Sequence, residues 1–292
     1  MAVFNLGSIN IDLIYSVSNF PAPGETLAAE AFQRLPGGKG ANQSVALALA
    51  GAKVFHIGAM HGGDDWLKRH LSDAGVDLGF VQLTETPGGH AIVVVNADGE
   101  NQIILFPGAN HEIDMTRACA ALEAATADDW ALIQNETNGA AEFVAAARRA
   151  DMKIAYAAAP FDAEVTLALL PQVDLLMVNA IEAAALMAAT GGDENSLGVD
   201  HLVITRGSAG VTYSGIAGQF SQPAFAVDVV DTTGAGDCFS GYFLAALDEG
   251  RDVPAALNLA SAAAALQVTR HGAATAIPTL DEVTKFLEDK TA

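Results

Sequence analysis

The chain has 292 residues, of which 51% are hydrophobic and 17% are charged. This composition can build one large or two small cores and differs from that of a disordered chain. The formal net charge is −21. Nucleic acids and anionic membranes would be repelled by such a chain, so we expect neither as a partner.

Cysteine content and the N-terminal region favour a cytoplasmic protein. Cys119 and Cys238 are far apart and form no metal-binding or redox pattern. The first basic residue is Arg34, so the positively charged start of a signal peptide is missing. The uncharged run 253–269 is short and interrupted by polar residues, which predicts a buried helix rather than a membrane span.

Strands and helices alternate along most of the chain. Strands are predicted at 3–7, 53–57, 131–134, 153–156, 175–178 and 202–205, and helices at 41–50, from a cap at Asp64-Asp65 to about 74, and between the strands at 131–178. This rhythm predicts a mostly parallel sheet covered by helices on both faces. Ligands of such sheets bind at the carboxyl ends of the strands.

Two segments interrupt this rhythm. Residues 13–35 contain Pro21, Pro23 and Gly24 and are predicted to be extended, and residues 91–106 alternate around an Asn-Ala-Asp-Gly turn typical of a hairpin. We expect them to form a small β-sheet that covers the site as a lid on a single domain of residues 1–292. The connection 189–201 contains three glycines and is predicted to be a loop.

The segment 231–237 reads Asp-Thr-Thr-Gly-Ala-Gly-Asp and precedes an amphipathic run. A glycine-rich turn that opens a helix presents unpaired N–H groups at the positive end of the helix dipole, which makes an anion site. Asp237 would repel phosphate but could take a proton from a group that attacks phosphate. The segment therefore predicts a phosphoryl-transfer centre with Asp237 as base. The alternative is an ordinary turn with Asp237 as a helix cap.

A second glycine-rich turn, Pro-Gly-Gly-Lys-Gly-Ala-Asn at 36–42, also precedes a helix. It is neither a Walker A loop nor a dinucleotide fingerprint, which disfavours a nucleotide-dependent oxidoreductase. Asn10 and Asp12 alternate with apolar residues at the end of the N-terminal strand, so both side chains would point to one side and could grip a polyol. The alternatives are a tight turn at 36–42 and a solvated strand edge at Asn10 and Asp12.

Together these segments resemble the ribokinase-like, or pfkB-type, carbohydrate kinase family over essentially the whole chain. Gly-Gly-Lys-Gly-Ala-Asn at 37–42 is similar to the first signature of that family, and 231–237 is similar to the second. Segments 7–10, 23–26, 107–110 and 268–273 are similar to the ribokinase branch. The resemblance implies a three-layer α/β/α fold with a β-sheet lid, and ATP- and Mg²⁺-dependent phosphorylation of a sugar hydroxyl, with D-ribose at O5 favoured.

The resemblance also implies roles for individual residues. Asp237 would be the general base, with Gly234, Ala235 and Gly236 as the anion hole. The sugar would be held by Asn10, Asp12, Gly38, Lys39, Asn42 and Glu136; the nucleotide and its magnesium by Asn179, Glu182, Thr205, Gly207, Ser208 and Gly210; and a monovalent cation by Asp231, Thr233, Gln267, Arg270 and Gly272. From the residues alone, Glu182 could instead be a surface residue and Glu136 a helix cap.

The chain departs from the ribokinase pattern at three places. Residues 156–160 read Tyr-Ala-Ala-Ala-Pro where an Asn-x-Pro-Ala-Pro segment is common, and the connection 189–201 is short on the nucleotide side. Ala276 stands where a serine hydroxyl commonly serves the cation. Alanine cannot supply that ligand, so activation by K⁺ stays open, with Thr275 or water as a substitute.

Several readings of the function remain open from the sequence. The acceptor could be 2-deoxyribose, a ketohexose or a nucleoside instead of ribose. A non-catalytic sugar sensor is the alternative of another class, although a sensor would not need Asp237. Family resemblance and the apolar hairpin also favour a homodimer formed through the lid.

Overall fold

Two sheets organise the chain in the computed structural model, which describes residues 1–193 and 197–291. A sheet of nine strands has the order β13-β12-β11-β10-β9-β8-β1-β4-β5, and a smaller sheet has the order β3-β2-β6-β7. The strands are β1 (Ala2–Leu6), β2 (Asn10–Ser16), β3 (Ala31–Gly37), β4 (Lys53–His61), β5 (Asp77–Thr84), β6 (Gly89–Val95), β7 (Asn101–Phe106), β8 (Trp130–Ile133), β9 (Lys153–Ala157), β10 (Leu175–Asn179), β11 (His201–Thr205), β12 (Val211–Gly215) and β13 (Gly218–Gln222).

The large sheet is parallel from β11 to β5 and ends in an antiparallel hairpin of β12 and β13. Helices cover both of its faces. They are α1 (Lys39–Leu49), α2 (Asp65–Asp73), α3 (Met115–Ala120), α4 (Ala140–Arg149), α5 (Ala163–Leu169), α6 (Ala180–Thr190), α7 (Ala235–Asp248), α8 (Val253–Gln267) and α9 (Leu280–Thr291).

Each face of the sheet has its own apolar core. One core joins strand residues such as Val3 to α1, α2, α7, α8 and α9, and the other joins Phe4 and Leu6 to α3, α4, α5 and α6. Strand β1 is buried throughout because its alternate residues enter different cores. The predicted three-layer α/β/α architecture and the buried helix near 253–269 are confirmed.

The smaller sheet is built from the two segments that interrupt the rhythm. Strands β2 and β3 are antiparallel, and β6 and β7 form the predicted hairpin, whose tip is held by hydrogen bonds from Asp98 N and Glu100 N to Asn96 Oδ1. Strand β7 is exposed along its whole length. The additional β-sheet predicted from the sequence is therefore present.

Two local predictions need correction, and one element was not predicted. Asn10 and Asp12 belong to β2 of the small sheet rather than to the end of β1, because the chain leaves the large sheet after Leu6. Asp64 stands at the start of α2, but its side chain accepts no helix N–H and instead accepts from Arg34 Nη2 at 2.8 Å. The hairpin of β12 and β13 was not predicted.

The predicted loop at 189–201 lies partly outside the described residues, since 194–196 are not among them. Before that gap, α6 extends to Thr190 and ends at Gly191, which has a left-handed backbone with φ 66°. After it, β11 begins at His201.

Candidate active site

A cleft lies where the carboxyl ends of the central strands meet the start of α7. Its walls combine residues from both glycine-rich motifs with residues at the ends of β9, β10 and β11. The predicted site residues among its lining are Lys39, Asn179, Glu182, Thr205, Gly234, Ala235, Gly236 and Asp237. Segments far apart in the chain therefore share one cavity, at the edge of the sheet where ligands bind in parallel α/β folds.

The start of α7 has the form of an anion site. Gly234 occupies the N-cap position with a left-handed backbone, φ 75°, which glycine adopts without strain. A Cβ built on it would also lie 2.9 Å from the Cβ of Ala273. A Cβ built on Gly236 would meet nothing within 4 Å, so the first turn of α7 faces open space. Its leading N–H groups and the helix dipole favour negative charge there.

Asp237 lies in this first turn and is 8% exposed. Asn42 Nδ2 donates to its Oδ2 at 2.9 Å, and Gln43 Nε2 donates to its Oδ1 at 3.0 Å. Two amide donors near the N-terminus of α1 therefore fix the carboxylate. A carboxylate held in one orientation at an anion site is suited to accept a proton from a bound hydroxyl.

Close helix packing brings the two motifs together. A Cβ added at Gly241 would lie 2.4 Å from the Cβ of Ala46, so α7 and α1 approach more closely than any larger residue would allow. Gly241 and Ala46 each follow, by one helical turn, the hydrogen-bonded residues Asp237 and Asn42. At the other side of α1, Gly40 packs on Gly7 in the same way, with an added Cβ 2.4 Å from the Gly7 Cα.

The predicted sugar-binding residues Asn10 and Glu136 are fixed by hydrogen bonds to neighbouring groups. Asn10 Oδ1 accepts from Asn110 Nδ2 at 2.7 Å, and Glu136 Oε2 accepts from Ser8 Oγ at 2.5 Å and from Lys39 N at 2.9 Å. Glu136 thus sits at the N-terminus of α1, where a negative charge is favoured.

Glycines leave room for these polar side chains. A Cβ at Gly37 would lie 2.3 Å from Asp12 Oδ2, and one at Gly89 would lie 2.3 Å from Asn10 Oδ1. Gly38 has φ 93°, so its left-handed backbone also requires glycine. Asn42 was predicted to bind a sugar hydroxyl; in the structure its Nδ2 is committed to Asp237.

The site concentrates like charges. Burial raises the pKa of Asp12 from 3.8 to about 6, and the nearby carboxylates of Glu136 and Asp237 add to this effect. Burial would lower the pKa of Lys39, but the carboxylates of Asp237, Glu136 and Glu182 outweigh it and raise that pKa. Lys39 is therefore held as a cation among three acids and lines the same cleft as the start of α7.

Asn179 and Glu182 form a capping box at the start of α6. Asn179 Oδ1 accepts from the N–H groups of Ile181 and Glu182, and Glu182 Oε2 accepts from Asn179 N at 2.7 Å. Glu182 is not a plain surface residue, because it lines the cleft and burial raises its pKa. Thr205 lines the cleft as well, whereas Gly207, Ser208 and Gly210 lie in the turn between β11 and β12, beyond the cleft lining.

The predicted cation residues lie in segments 231–233 and 267–272, which together form the cation loop beside the start of α7; Gln267 is the last residue of α8. Asp231 accepts from Thr233 N at 2.9 Å and from Gly272 N at 3.0 Å, and Gln267 Nε2 donates to the Thr233 carbonyl at 3.0 Å. Partial burial would raise the pKa of Asp231, but these hydrogen bonds outweigh it and lower that pKa.

The side chains of two residues in or beside this loop offer no oxygen to a cation. The positively charged guanidinium of Arg270 is paired with Glu282 at 2.6 Å, so only the backbone carbonyl of Arg270 could be a ligand. Ala276 is 1% exposed and offers no oxygen from its side chain, but the Thr275 hydroxyl lies 2.5 Å from a Cβ built on Gly272.

Four site residues were missed in the sequence: Ser8, Gln43, Asn110 and Gln134. Gln43 directly follows Asn42 in the first motif, and Asn110 belongs to the Pro-Gly-Ala-Asn segment at 107–110, so both carried a usable signal. Ser8 lies in the segment 7–10, which is also similar to the ribokinase branch. For Gln134, which follows the buried strand β8, polarity at the end of that strand was the only clue.

The sequence that builds this site matches a known protein family. The model of the pfkB family carbohydrate kinases matches residues 2–280. The chain belongs to this family. Its members carry out phosphoryl transfer to a sugar hydroxyl, and the chain is accordingly a phosphotransferase of the carbohydrate kinase class.

Individual members of the family resemble the chain along its whole length. A ribokinase of Bacillus subtilis (strain 168) is 37% identical over 290 residues, which cover 97% of this chain and 98% of the relative. A deoxyribokinase of Salmonella typhi is 30% identical and covers 98% of this chain and 99% of its own. The structure of Arabidopsis thaliana ribokinase complexed with ribose and ATP superposes with a TM-score of 0.87 at 29% identity, over 99% of each chain.

Within residues 1–193 and 197–291, no helix combines the length and apolar character needed to cross a bilayer.

Proposed function

We propose that this kinase transfers the γ-phosphoryl group of ATP to O5 of D-ribose, with Asp237 as the general base. The observation that carries the proposal is the carboxylate of Asp237, fixed by Asn42 and Gln43 at the N-terminus of α7. The ribokinase of Bacillus subtilis and the ribose- and ATP-bound ribokinase of Arabidopsis thaliana support ribose and ATP as the substrates.

The reaction needs alignment and one proton transfer. As O5 attacks the γ-phosphorus, its proton moves to Asp237, the new O5–phosphorus bond forms, and the bond from phosphorus to the departing ADP oxygen breaks. Asp12, Asn10 and Glu136 would accept hydrogen bonds from the other sugar hydroxyls and hold O5 in line with the γ-phosphorus and its leaving oxygen. A positioned base of this kind contributes about 10²–10⁴-fold to the rate.

Charge on the transferred group would be met by two features of the cleft. The N–H groups of Gly234, Ala235 and Gly236 would receive the phosphoryl oxygens, and Lys39 would supply a positive charge from α1. Preorganised donors of this type contribute on the order of 3 kcal/mol each. Thr205, Gly207, Ser208 and Gly210 would bind the nucleotide.

The cleft offers few acidic side chains to Mg²⁺, which is sufficient for an ion that is bound mainly by ATP. In the described part of the chain, no three acidic, histidine or cysteine side chains converge as a metal site. Mg²⁺ is commonly held by substrate phosphates with one or two carboxylates and water. Glu182 with Asn179 would be that protein contribution, and the ion would neutralise phosphate charge.

A monovalent cation would bind in the loop behind α7. The candidate ligands are the Asp231 carboxylate and the backbone carbonyls of Thr233, Gln267, Arg270 and Gly272. With Ala276 at the position of a further ligand, we propose weak binding of K⁺, with Thr275 as a partial substitute.

The small sheet would act as a lid and as a dimer interface. The segments near 13–35 and 91–106 would close over the sugar and exclude water from the phosphoryl group. Strands β6 and β7 carry no acidic or basic side chain except His90, although the chain has a net charge of −21. A second copy of the same uncharged, apolar strand is the partner that such a surface suits, because it avoids repulsion between acidic bodies.

The apolar side chains of this surface are well exposed. Ile103, Ile104, Leu105 and Phe106 of β7 are 58%, 67%, 48% and 45% exposed. We propose that residues 1–292 form one kinase domain with this lid. Consumption of ATP fits a cytoplasmic location.

The decisive experiment is a screen of ATP consumption over pentoses, 2-deoxyribose, ketohexoses and nucleosides, with Asp237→Asn run in parallel. We expect the highest kcat/KM with D-ribose. Asp237→Asn should lower kcat by at least about 10²-fold, as expected for loss of a general base, while ribose binding by calorimetry is kept.

Other outcomes would assign a different function. Preference for 2-deoxyribose would align the chain with its deoxyribokinase relative. Turnover on none of the acceptors would revive the sugar sensor, and near-normal turnover by Asp237→Asn would remove Asp237 as the base.

A further inference from the structure

A chain of buried amide side chains extends from Asp237 into the protein. Gln43 Nε2 donates to Asp237 Oδ1 at 3.0 Å, Gln134 Nε2 donates to Gln43 Oε1 at 2.8 Å, and Gln134 Nε2 also donates to Asn5 Oδ1 at 2.9 Å. Asn5, Gln43 and Gln134 are 0%, 1% and 1% exposed. Three elements of the fold, β1, α1 and the end of β8, are thereby connected to the carboxylate.

The direction of every hydrogen bond between these amide side chains is determined. Asn5 Nδ2 donates to Gly40 O at 2.9 Å and to Ser44 Oγ at 2.8 Å, so Asn5 Oδ1 must face Gln134. Gln134 then uses both hydrogens of its amide, one to Asn5 and one to Gln43. Because Gln43 Oε1 accepts, its Nε2 is left to face Asp237. Reversing any one amide would bring two donors or two acceptors together.

The row of hydrogen bonds ends, on the side remote from Asp237, in uncharged groups. Ser44 Oγ accepts from Asn5 and can donate to His56 Nδ1 at 2.8 Å, after which His56 Nε2 donates to Gly7 O at 3.1 Å. Complete burial lowers the pKa of His56 to about 4, so the ring is uncharged at neutral pH. The connected amide side chains therefore present dipoles, and no second charge, to Asp237.

One feature of this arrangement opposes folding. Gln134 Oε1 is buried and has no hydrogen-bond partner among the described residues. A buried acceptor without a partner costs folding free energy. Gln134 keeps this cost because its Nε2 supplies donors to two other buried acceptors, Asn5 Oδ1 and Gln43 Oε1.

The geometry points to Gln43 and Gln134 as positioning residues that hold the Asp237 carboxylate oriented toward the sugar hydroxyl. This inference rests on the proposed role of Asp237 as base. Gln43 acts directly on the carboxylate, and Gln134 acts by keeping the Gln43 amide from reversing. Asn42 holds the other oxygen, so the pair of donors sets the plane of the carboxylate.

The charged and titratable groups that face Asp237 come from several elements. They are Lys39 on α1, Asp12 on β2, Glu136 after β8, Glu182 on α6 and the neighbouring Cys238 on α7. None of these groups donates a hydrogen bond to the carboxylate in the structure, so the amides of Asn42 and Gln43 are its observed donors. All five groups remain in variants of Gln43 and Gln134, which isolates the effect of the amide.

The test compares Gln43→Met and Gln134→Met with Gln82→Met. Gln82 is also a buried glutamine with two hydrogen bonds, to Asp114 N and O, but it lies outside the cleft. The readouts are kcat and KM against pH with ATP and the best acceptor of the screen, and thermal unfolding. For Gln43→Met we expect kcat about tenfold lower, sugar KM nearly unchanged, and the acidic limb of the kcat profile about one pH unit higher, since a hydrogen bond to a charged group is lost.

Gln134→Met should shift the acidic limb in the same direction by less, and Gln82→Met should lower only the unfolding temperature. Gln43→Glu, which keeps the shape but places a second carboxyl group against Asp237, should not restore the profile. The inference is overturned if the pH profiles of the Gln43 and Gln134 variants match that of Gln82→Met. If Gln43→Met does not fold, Gln134→Met decides by the same criteria.

Asp237→Asn, measured alongside, separates this inference from the proposed function. An inactive Asp237→Asn with unchanged Gln43 and Gln134 profiles would overturn the positioning role alone. An active Asp237→Asn would overturn the base itself.

Discussion

Asn42 and Asp237 are 195 positions apart in the chain, yet Asn42 Nδ2 donates a hydrogen bond of 2.9 Å to Asp237 Oδ2. This bond joins the two glycine-rich motifs. It forms because α1 and α7 pack closely at Ala46 and Gly241, one helical turn further along each helix. The conformation of the site thus depends on a small-residue contact that contains no polar group.

Gly241→Ala should therefore impair catalysis from a distance. Its Cβ would lie 2.4 Å from that of Ala46, so the helices must separate and the Asn42–Asp237 bond must lengthen. We expect a stability loss of about 1–3 kcal/mol, as for overpacked cores, and a lower kcat at nearly unchanged ATP KM. Denaturant unfolding and steady-state kinetics measure both.

Ala46→Gly combined with Gly241→Ala provides the control, because it removes the opposing Cβ. The double variant should recover part of the lost kcat. Equal activity of the single and double variants would show that contact between the two Cβ atoms is not the cause.

Asp12 should make sugar binding depend on pH. Its pKa is raised to about 6 by burial and by the nearby Glu136 and Asp237 carboxylates. A protonated carboxyl accepts hydrogen bonds less well, so sugar KM should rise as pH falls through about 6. KM measured between pH 5 and 8 tests this. Asp98→Asn, which removes the same charge from the exposed hairpin tip, should leave the KM profile unchanged.

The same shift has a consequence for stability. The pKa of Asp12 in the folded state exceeds 3.8, the ordinary value of an aspartate, so the folded state binds the proton more tightly than the unfolded state does. The free energy of unfolding therefore falls as pH rises from about 4 to 6. Asp12→Asn should thus stabilise the ligand-free protein at pH 7.5 by up to about 3 kcal/mol, the free energy that corresponds to a pKa raised from 3.8 to about 6, with the gain shrinking toward pH 4. A loss of stability at pH 7.5 in the Asp12→Asn variant, measured by denaturant unfolding, would contradict the assigned cause.

Ala276→Ser should strengthen the response to potassium. The substitution adds a hydroxyl to the turn beside Gly272 and Thr275, next to the predicted cation loop. We expect weak stimulation of the unmodified enzyme in KCl relative to tetramethylammonium chloride, and several-fold stimulation of the variant. Ala274→Ser, in the same buried turn, is the matched control. Strong stimulation of the unmodified enzyme would show that the loop is complete without a residue 276 ligand.

Ile104→Lys should dissociate the proposed dimer. Ile104 is 67% exposed on β7, and a charge there would be repelled or left unpaired between two copies of the strand. Light scattering after size exclusion should give the mass of two chains for the unmodified protein and of one chain for the variant. Ile216→Lys, 75% exposed at the turn between β12 and β13, should keep the dimer. A monomeric unmodified protein would remove the lid as an interface.

Much of the architecture was predictable because its signals are local. Alternation of apolar runs and helical segments predicts the layered sheet, and Asn-Ala-Asp-Gly at 96–99 predicts the hairpin, since each depends on residues close in sequence. The two glycine-rich turns likewise contain their own backbone requirements. Their residue types alone identify the family and make Asp237 the candidate base.

Tertiary structure decided which polar groups meet. The sequence could not assign Asn10 and Asp12 to the small sheet, divert Asp64 from its helix to Arg34, or join Gln134 and Gln43 to Asp237, because each pairing crosses between elements brought together by packing. Their partners follow from strand order and helix contact, which no local pattern encodes. The sequence by itself thus determined the residue types of the two turns, and the packing of α1 against α7, with the hydrogen bond from Gln134 to Gln43, decided how these residues are held.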